Sequence, residues 1–154
     1  MTEPTESAKL AVYAAVAARR TQFDSLVWQV PILSLTAQAF LFTVALSQGN
    51  DAWARVISSL LSLNISTISI MLMARHRQAE IHDAAWLETV ERDHLHLGAL
   101  TTHGTAFRDQ RNGTDIRADR IGKLIPMQPM FKVWVVGLAL FGVAAIAVII
   151  RTLA

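Results

Sequence analysis

The sequence predicts an all-α integral membrane protein with three transmembrane helices, at about residues 26–47, 53–74 and 131–150. An N-terminal amphipathic helix and a cytoplasmic helical extension of the second span complete the expected fold. Three observations carry this. Formal charges are absent from three long windows: 26 residues between Asp24 and Asp51, 19 between Arg55 and Arg75, and 18 between Lys132 and Arg151. A helix needs about 20 apolar residues to cross a hydrocarbon core of about 30 Å. Trp28, Trp53 and Trp134 each stand near the end of a window, where an apolar ring with a polar N–H suits the membrane–water boundary. Lysine and arginine are placed asymmetrically, with nine of the 14 lying between residues 75 and 132.

The bulk composition agrees: 53% of the 154 residues are hydrophobic and 17% are charged, with a mean hydropathy of +0.37. Soluble domains carry about 25% charge. Buried helices of a soluble bundle would keep a polar face, and the third window has none. With no cysteine, disulfide scaffolds and cysteine-rich zinc sites are excluded. Four segments follow: 1–25 as a cytoplasmic or interfacial helix, 26–74 as a transmembrane hairpin, 75–130 as a cytoplasmic helical segment and connector, and 131–154 as the third span. The positive-inside rule puts the N-terminus and residues 75–130 in the cytoplasm of a cell (plasma or inner) membrane, and the C-terminus outside.

The first helix starts at Thr5, a capping residue followed by Glu6 in the first turn. Val12, Val16, Phe23 and Leu26 form its apolar stripe, too short to span; it suits either an interface or a helical lead-in to the first span. Arg19-Arg20 before an apolar stretch has the form of a twin-arginine signal, but the stretch exceeds a signal core and a second span follows at once. Pro31 removes a backbone donor early in the first span and predicts a kink. Gly49-Asn50-Asp51 supplies the turn between spans one and two. The second helix is expected to run from Arg55 to Leu97 and to stop at Gly98. Ile81, Ala84, Ala85, Leu87 and Val90 give its extension an apolar side. Thr114-Asp115 is read as the start of a short helix, with Asn112-Gly113 as the alternative two-residue hairpin turn. The sequons at Asn64 and Asn112 fall in the bilayer and the cytoplasm, where neither would be glycosylated.

The strongest chemical signal is a hydroxyl stripe. Ser58, Ser62, Ser66 and Ser69 recur at spacings of four, four and three on one face of the second span, and Arg55 continues that face outward. Small hydroxyl residues serve helix packing, where backbones approach and hydroxyls bond across. They also suit the lining of an oligomeric pore. Gln38 and Asn64 are mid-span amides, costly to leave unpaired in hydrocarbon, and are expected to face protein, with each other as one pairing. Between the span-end residues Arg55 and Lys132 and the far ends of their spans, and throughout the first span, no Asp, Glu, Lys, Arg or His occurs, which argues against a proton-coupled transporter.

Glu91-x-x-His94 has the spacing of a di-iron helix motif. A full site needs two such motifs and two more glutamates, so Glu91 and His94 are weak metal candidates and no cofactor is expected. The cluster Arg108, Arg111, Arg117, Arg120 and Lys123 is interleaved with Asp109, Asp115 and Asp119. That compensation argues against nucleic acid and suits anionic headgroups or plain solvation. The expected partners are therefore the lipid bilayer, further copies of the chain, and an unidentified cytoplasmic protein contacting Ile81, Trp86 and Val90. The functional expectation is a homo-oligomeric scaffold or regulatory subunit acting through cytoplasmic helices, without enzymatic activity. A pore lined by the serine face is the alternative.

Overall fold

The computed structural model describes residues 5–98, 101–103 and 130–154, and among these every regular element is helical. Three helices are present: α1 (Glu6–Leu46), α2 (Ala52–Asp93) and α3 (Met130–Leu153). Each is long and apolar enough to cross a membrane. The readings of Asn112-Gly113, of a helix from Thr114 and of the Arg108–Lys123 cluster lie outside the described residues.

Two expectations about boundaries are corrected. Of the two readings of the N-terminal helix, the structure has the lead-in and not a separate interfacial helix: it and the first span are one helix, with no Pro or Gly between Glu6 and Pro31 to interrupt it. Its 41 residues extend about 60 Å at 1.5 Å per residue. Thr5 caps it: the Thr5 Oγ1 accepts from the Ala8 N–H at 3.4 Å, satisfying one of the unpaired first-turn donors. Pro31 sits buried inside α1. The second correction concerns the end of α2, which stops at Asp93 rather than running to Leu97. The N–H groups of Leu95 and Leu97 fold back onto the carbonyls of Val90 and Glu91, each at 3.0 Å. His96 adopts the left-handed region at φ 49°, ahead of Gly98 at φ 53°. That conformation is costly for a residue with a Cβ. It brings residues 101–103 back over the helix end, where Glu91 holds them.

The chain divides into two compact units. Among described residues the first comprises 5–25, 76–98 and 101–103, and the second comprises 26–75 and 130–154.

The second unit buries polar side chains beside apolar ones and leaves many large apolar side chains exposed. Buried polar side chains include Ser34, Gln38, Ser58, Ser59, Ser62, Ser66 and Ser69. Leu33, Phe40, Trp53, Met71, Leu140 and Val143 are each more than 60% exposed. Water would drive the opposite arrangement. In hydrocarbon, polar groups must find partners inside the protein. One end holds an apolar cluster of Val27, Met73 and Leu138, flanked by Val30, Ile70, Phe131 and Trp134. Further along, Gly142 lets α3 approach Ser66 and Leu63, and Phe42 meets Phe141 at 5.6 Å between ring centroids. Residues 47–51 join α1 to α2. Arg55 Nε donates to the Ala45 carbonyl at 3.1 Å and Asn50 Nδ2 to the Val44 carbonyl at 3.0 Å. Both satisfy carbonyls at the end of α1, where a cation also meets the negative end of the helix dipole.

In the first unit, charged pairs hold the two helix segments together. Arg19 grips Asp83 with two hydrogen bonds, Nε to Oδ2 at 2.9 Å and Nη2 to Oδ1 at 2.6 Å. Arg20 donates to Glu80 Oε1 through Nε at 3.2 Å and Nη2 at 3.1 Å, and Arg77 occupies the other Glu80 oxygen. Phe23 packs on the His76 ring at 5.8 Å. The inward stripe of α2 here is Glu80, Asp83, Ala84, Leu87 and Glu91, all buried. The expected apolar side is only partly used, because Ile81 and Ala85 are exposed and Val90 is half-buried.

Candidate functional site

Two polar constellations stand out, one in each unit. In the second unit the serine stripe of α2 lies against α1. Gln38 Nε2 donates to the Ser62 carbonyl at 3.0 Å and to Ser66 Oγ at 2.7 Å, and the Ser62 hydroxyl donates to Gln38 Oε1. Ser34 and Ser69 share a hydroxyl–hydroxyl bond. Gln38, Ser62 and Ser66 are at most 2% exposed. Ser58 is also buried, while Arg55 is committed to the end of α1. Within one chain, then, the stripe is a packed seam between helices. Ser59 Oγ and Trp134 Nε1 are buried without a partner.

Asn64 is the exception among the predicted seam residues, for it is exposed. Within the chain Gln38 faces protein and Asn64 does not, and the two amides do not pair. The cause is helical phase. At 100° per residue, Asn64 stands opposite Ser62 and Ser66 and points away from α1.

In the first unit the buried group is Glu91, with no exposed side-chain surface. Its Oε1 accepts from Tyr13 Oη at 2.6 Å, from Thr102 Oγ1 at 3.1 Å and lies 2.6 Å from His103 Nδ1. Its Oε2 accepts the backbone N–H groups of Thr102 at 2.9 Å and His103 at 3.2 Å. The Tyr13 and His103 rings meet edge to face. Burial pushes the Glu91 carboxyl up, but the hydrogen bonds from Tyr13, from the His103 side chain and backbone, and from Thr102 outweigh it and hold it at about 2. The Tyr13 phenol is pushed up to about 12, by burial first and then by its bond to Glu91 and that group's charge. An ionised Glu91 requires His103 Nδ1 to carry its hydrogen. Saturated by five donors, Glu91 is a poor general base. It clasps residues 101–103 onto α2 and onto Tyr13.

Glu91 and His94 do not converge as a metal pair. Glu91 is spent on the clasp, and His94 is exposed beyond the end of α2. Ile81 and Trp86 are exposed and Val90 is half-buried. Trp86 and Val90 line a groove of about 600 Å³ with Val12, Tyr13, Leu95 and Lys9, whereas Ile81 is turned elsewhere. A smaller polar pocket of about 340 Å³ is lined by residues including Arg20, Thr21, Asp24, Arg77, Glu80 and His103. Sequence reasoning missed the clasp, the Arg19–Asp83 and Arg20–Glu80 pairs, and Ser34 as a partner of Ser69. A signal for the pairs was present. Glu80 and Asp83 fall on the same helical stripe as Ala84 and Leu87, and adjacent arginines stand on α1.

No protein-family model matches the chain, and comparison with curated proteins and with solved structures found no match.

Proposed function

We propose that the protein is a three-span membrane protein that acts as a homo-oligomeric scaffold or regulatory subunit. Its second unit is the membrane anchor, and its first unit is the cytoplasmic helical part that docks a partner. The N-terminus lies in the cytoplasm and the C-terminus outside. The contrast between the units carries this reading. The second unit buries Ser34, Gln38 and five serines of α2 while exposing many of its large apolar side chains, which suits a bilayer. The first turns its charges into ion pairs and leaves Val12 and Trp86, at 53% and 39% exposure, beside an open groove of about 600 Å³. The pore alternative is less well supported, because three of the four stripe hydroxyls it needs on a channel wall, those of Ser62, Ser66 and Ser69, are already bonded within the chain.

The absence of cysteine makes the test direct. Single-cysteine variants at Ile81 and Ser47 are labelled in sealed vesicles with a membrane-impermeant thiol reagent. Ile81→Cys should react only from the cytoplasmic side and Ser47→Cys only from the opposite side. Purified protein in liposomes should pass no ions. Labelling of both positions from one side, or a conductance abolished by Ser62→Leu with assembly intact, would overturn the proposal.

A further inference from the structure

The exposed face of α2 within the second unit is not uniformly apolar. Asn64 stands there with no hydrogen-bond partner among the described residues. It lies 11 residues from one end and 10 from the other of the 53–74 stretch, about 15 Å from either boundary at 1.5 Å per residue. An amide left facing hydrocarbon at that depth costs free energy that no described residue of the same chain offsets.

The residues around Asn64 say what completes it. Trp53, Ile57, Leu60, Asn64, Thr67 and Met71 are all exposed, and they follow one another at spacings of four, three, four, three and four. That is an unbroken heptad pattern of alternating a and d positions, the seam of a left-handed helix pair, which is also the common crossing in membranes. It differs from the serine stripe in phase and lies on the opposite side of α2. The Thr67 hydroxyl is self-satisfied by the Leu63 carbonyl at 2.9 Å and Trp53 stands at the span's end, so among the described residues of this face Asn64 is the mid-span group that needs an outside partner. Asn64 occupies an a position. A single buried Asn at a fixes register and oligomer state in such pairs. On a two-fold axis an amide is its own complement, since each copy offers a donor and an acceptor to the other.

We propose that this heptad face binds a second copy of the same chain, with α2 packing against α2 and the two Asn64 side chains hydrogen-bonded across the axis. The proposal rests on the membrane reading above and supplies the contact behind its self-association.

Single-cysteine variants along α2 in reconstituted vesicles give the test through oxidative crosslinking. Ile57, Leu60, Thr67 and Met71 should form disulfide-linked dimers, while Leu61, Ile68, Leu72 and the α3 control Val143 should not. Asn64→Leu should weaken dimerisation about tenfold, from membrane hydrogen bonds of about 0.6–2 kcal/mol, and Asn64→Gln should restore most of it. Asn64 is exposed and makes no side-chain hydrogen bond among the described residues, so helix content by circular dichroism should be unchanged in both variants. Crosslinking without the heptad period, crosslinking centred on α3, or an Asn64→Leu dimer as tight as wild type would each overturn the proposal. Chains that crosslink through another face refute this seam alone, whereas chains that fail to enter vesicles refute the membrane reading.

Discussion

Two mid-helix amides of similar depth should respond oppositely to the same change, Gln38→Leu and Asn64→Leu. Gln38 makes three bonds across the α1–α2 seam, to the Ser62 carbonyl, the Ser66 hydroxyl and from the Ser62 hydroxyl. Membrane hydrogen bonds average about 0.6 kcal/mol each, so the gross loss is about 2 kcal/mol. Part is recovered, because freed serine hydroxyls can bond to carbonyls one turn back on their own helix. A net loss of about 1–2 kcal/mol remains, roughly a 5- to 30-fold shift in the folding equilibrium. Asn64→Leu removes no bond within the chain and should leave protomer stability within about 0.5 kcal/mol of wild type. The assay is equilibrium unfolding in mixed micelles, followed by helix ellipticity and tryptophan emission, at dilutions that keep chains single. If Gln38→Leu proves as stable as wild type, or Asn64→Leu as costly as Gln38→Leu, the assignment of the two amides to opposite faces is wrong.

The Glu91 clasp should fail in acid. Its carboxyl is held down at about 2, so its contribution is complete above the ordinary carboxylate range and is lost as pH falls through that range toward 2. Hydrogen exchange at the Thr102 and His103 amides should accelerate over that interval, and Glu91→Gln should show fast exchange already at neutral pH. Tyr13 is the only tyrosine, so ultraviolet titration reads it alone. With its phenol raised to about 12, its contribution is intact below pH 10 and lost as pH rises toward 12, and Glu91→Gln should move the titration back toward 10. In α3, Gly142→Ala should be neutral or stabilising by up to about 1 kcal/mol, since an added Cβ meets Leu63 at 3.5 Å and Ser66 at 3.7 Å, ordinary contacts, and alanine favours helix. Gly142→Leu should cost about 1–3 kcal/mol by overpacking, measured in the same unfolding assay.

The three apolar helices were legible because hydrocarbon imposes a long, one-dimensional demand on sequence: some 20 residues without charge. The serine stripe was legible for a related reason, since spacings of four, four and three can only mean one helix face. Its partner was half legible. Gln38 was singled out by depth, yet depth alone could not separate it from Asn64; the wheel that put Asn64 opposite the serines held the answer. The clasp was not legible. Glu91 meets Tyr13 across 78 positions of sequence, and nothing local announces such a meeting. The early end of α2 was hidden for the same reason, because the competition against further helix comes from Thr102 and His103 binding back onto Glu91.

On the membrane reading proposed above, the Gln38–serine seam bears on how the chain is made. Alone in a bilayer, α1 would present Ser34 and Gln38 to lipid, and α2 would present five serines. Only when the two lie side by side are Gln38, Ser34, Ser62, Ser66 and Ser69 satisfied. The five-residue turn at 47–51 keeps the two helices together from synthesis onward. They are therefore expected to leave the insertion machinery as a pair. The far more apolar α3, with no such need for a partner, can enter lipid by itself and dock afterwards through Gly142.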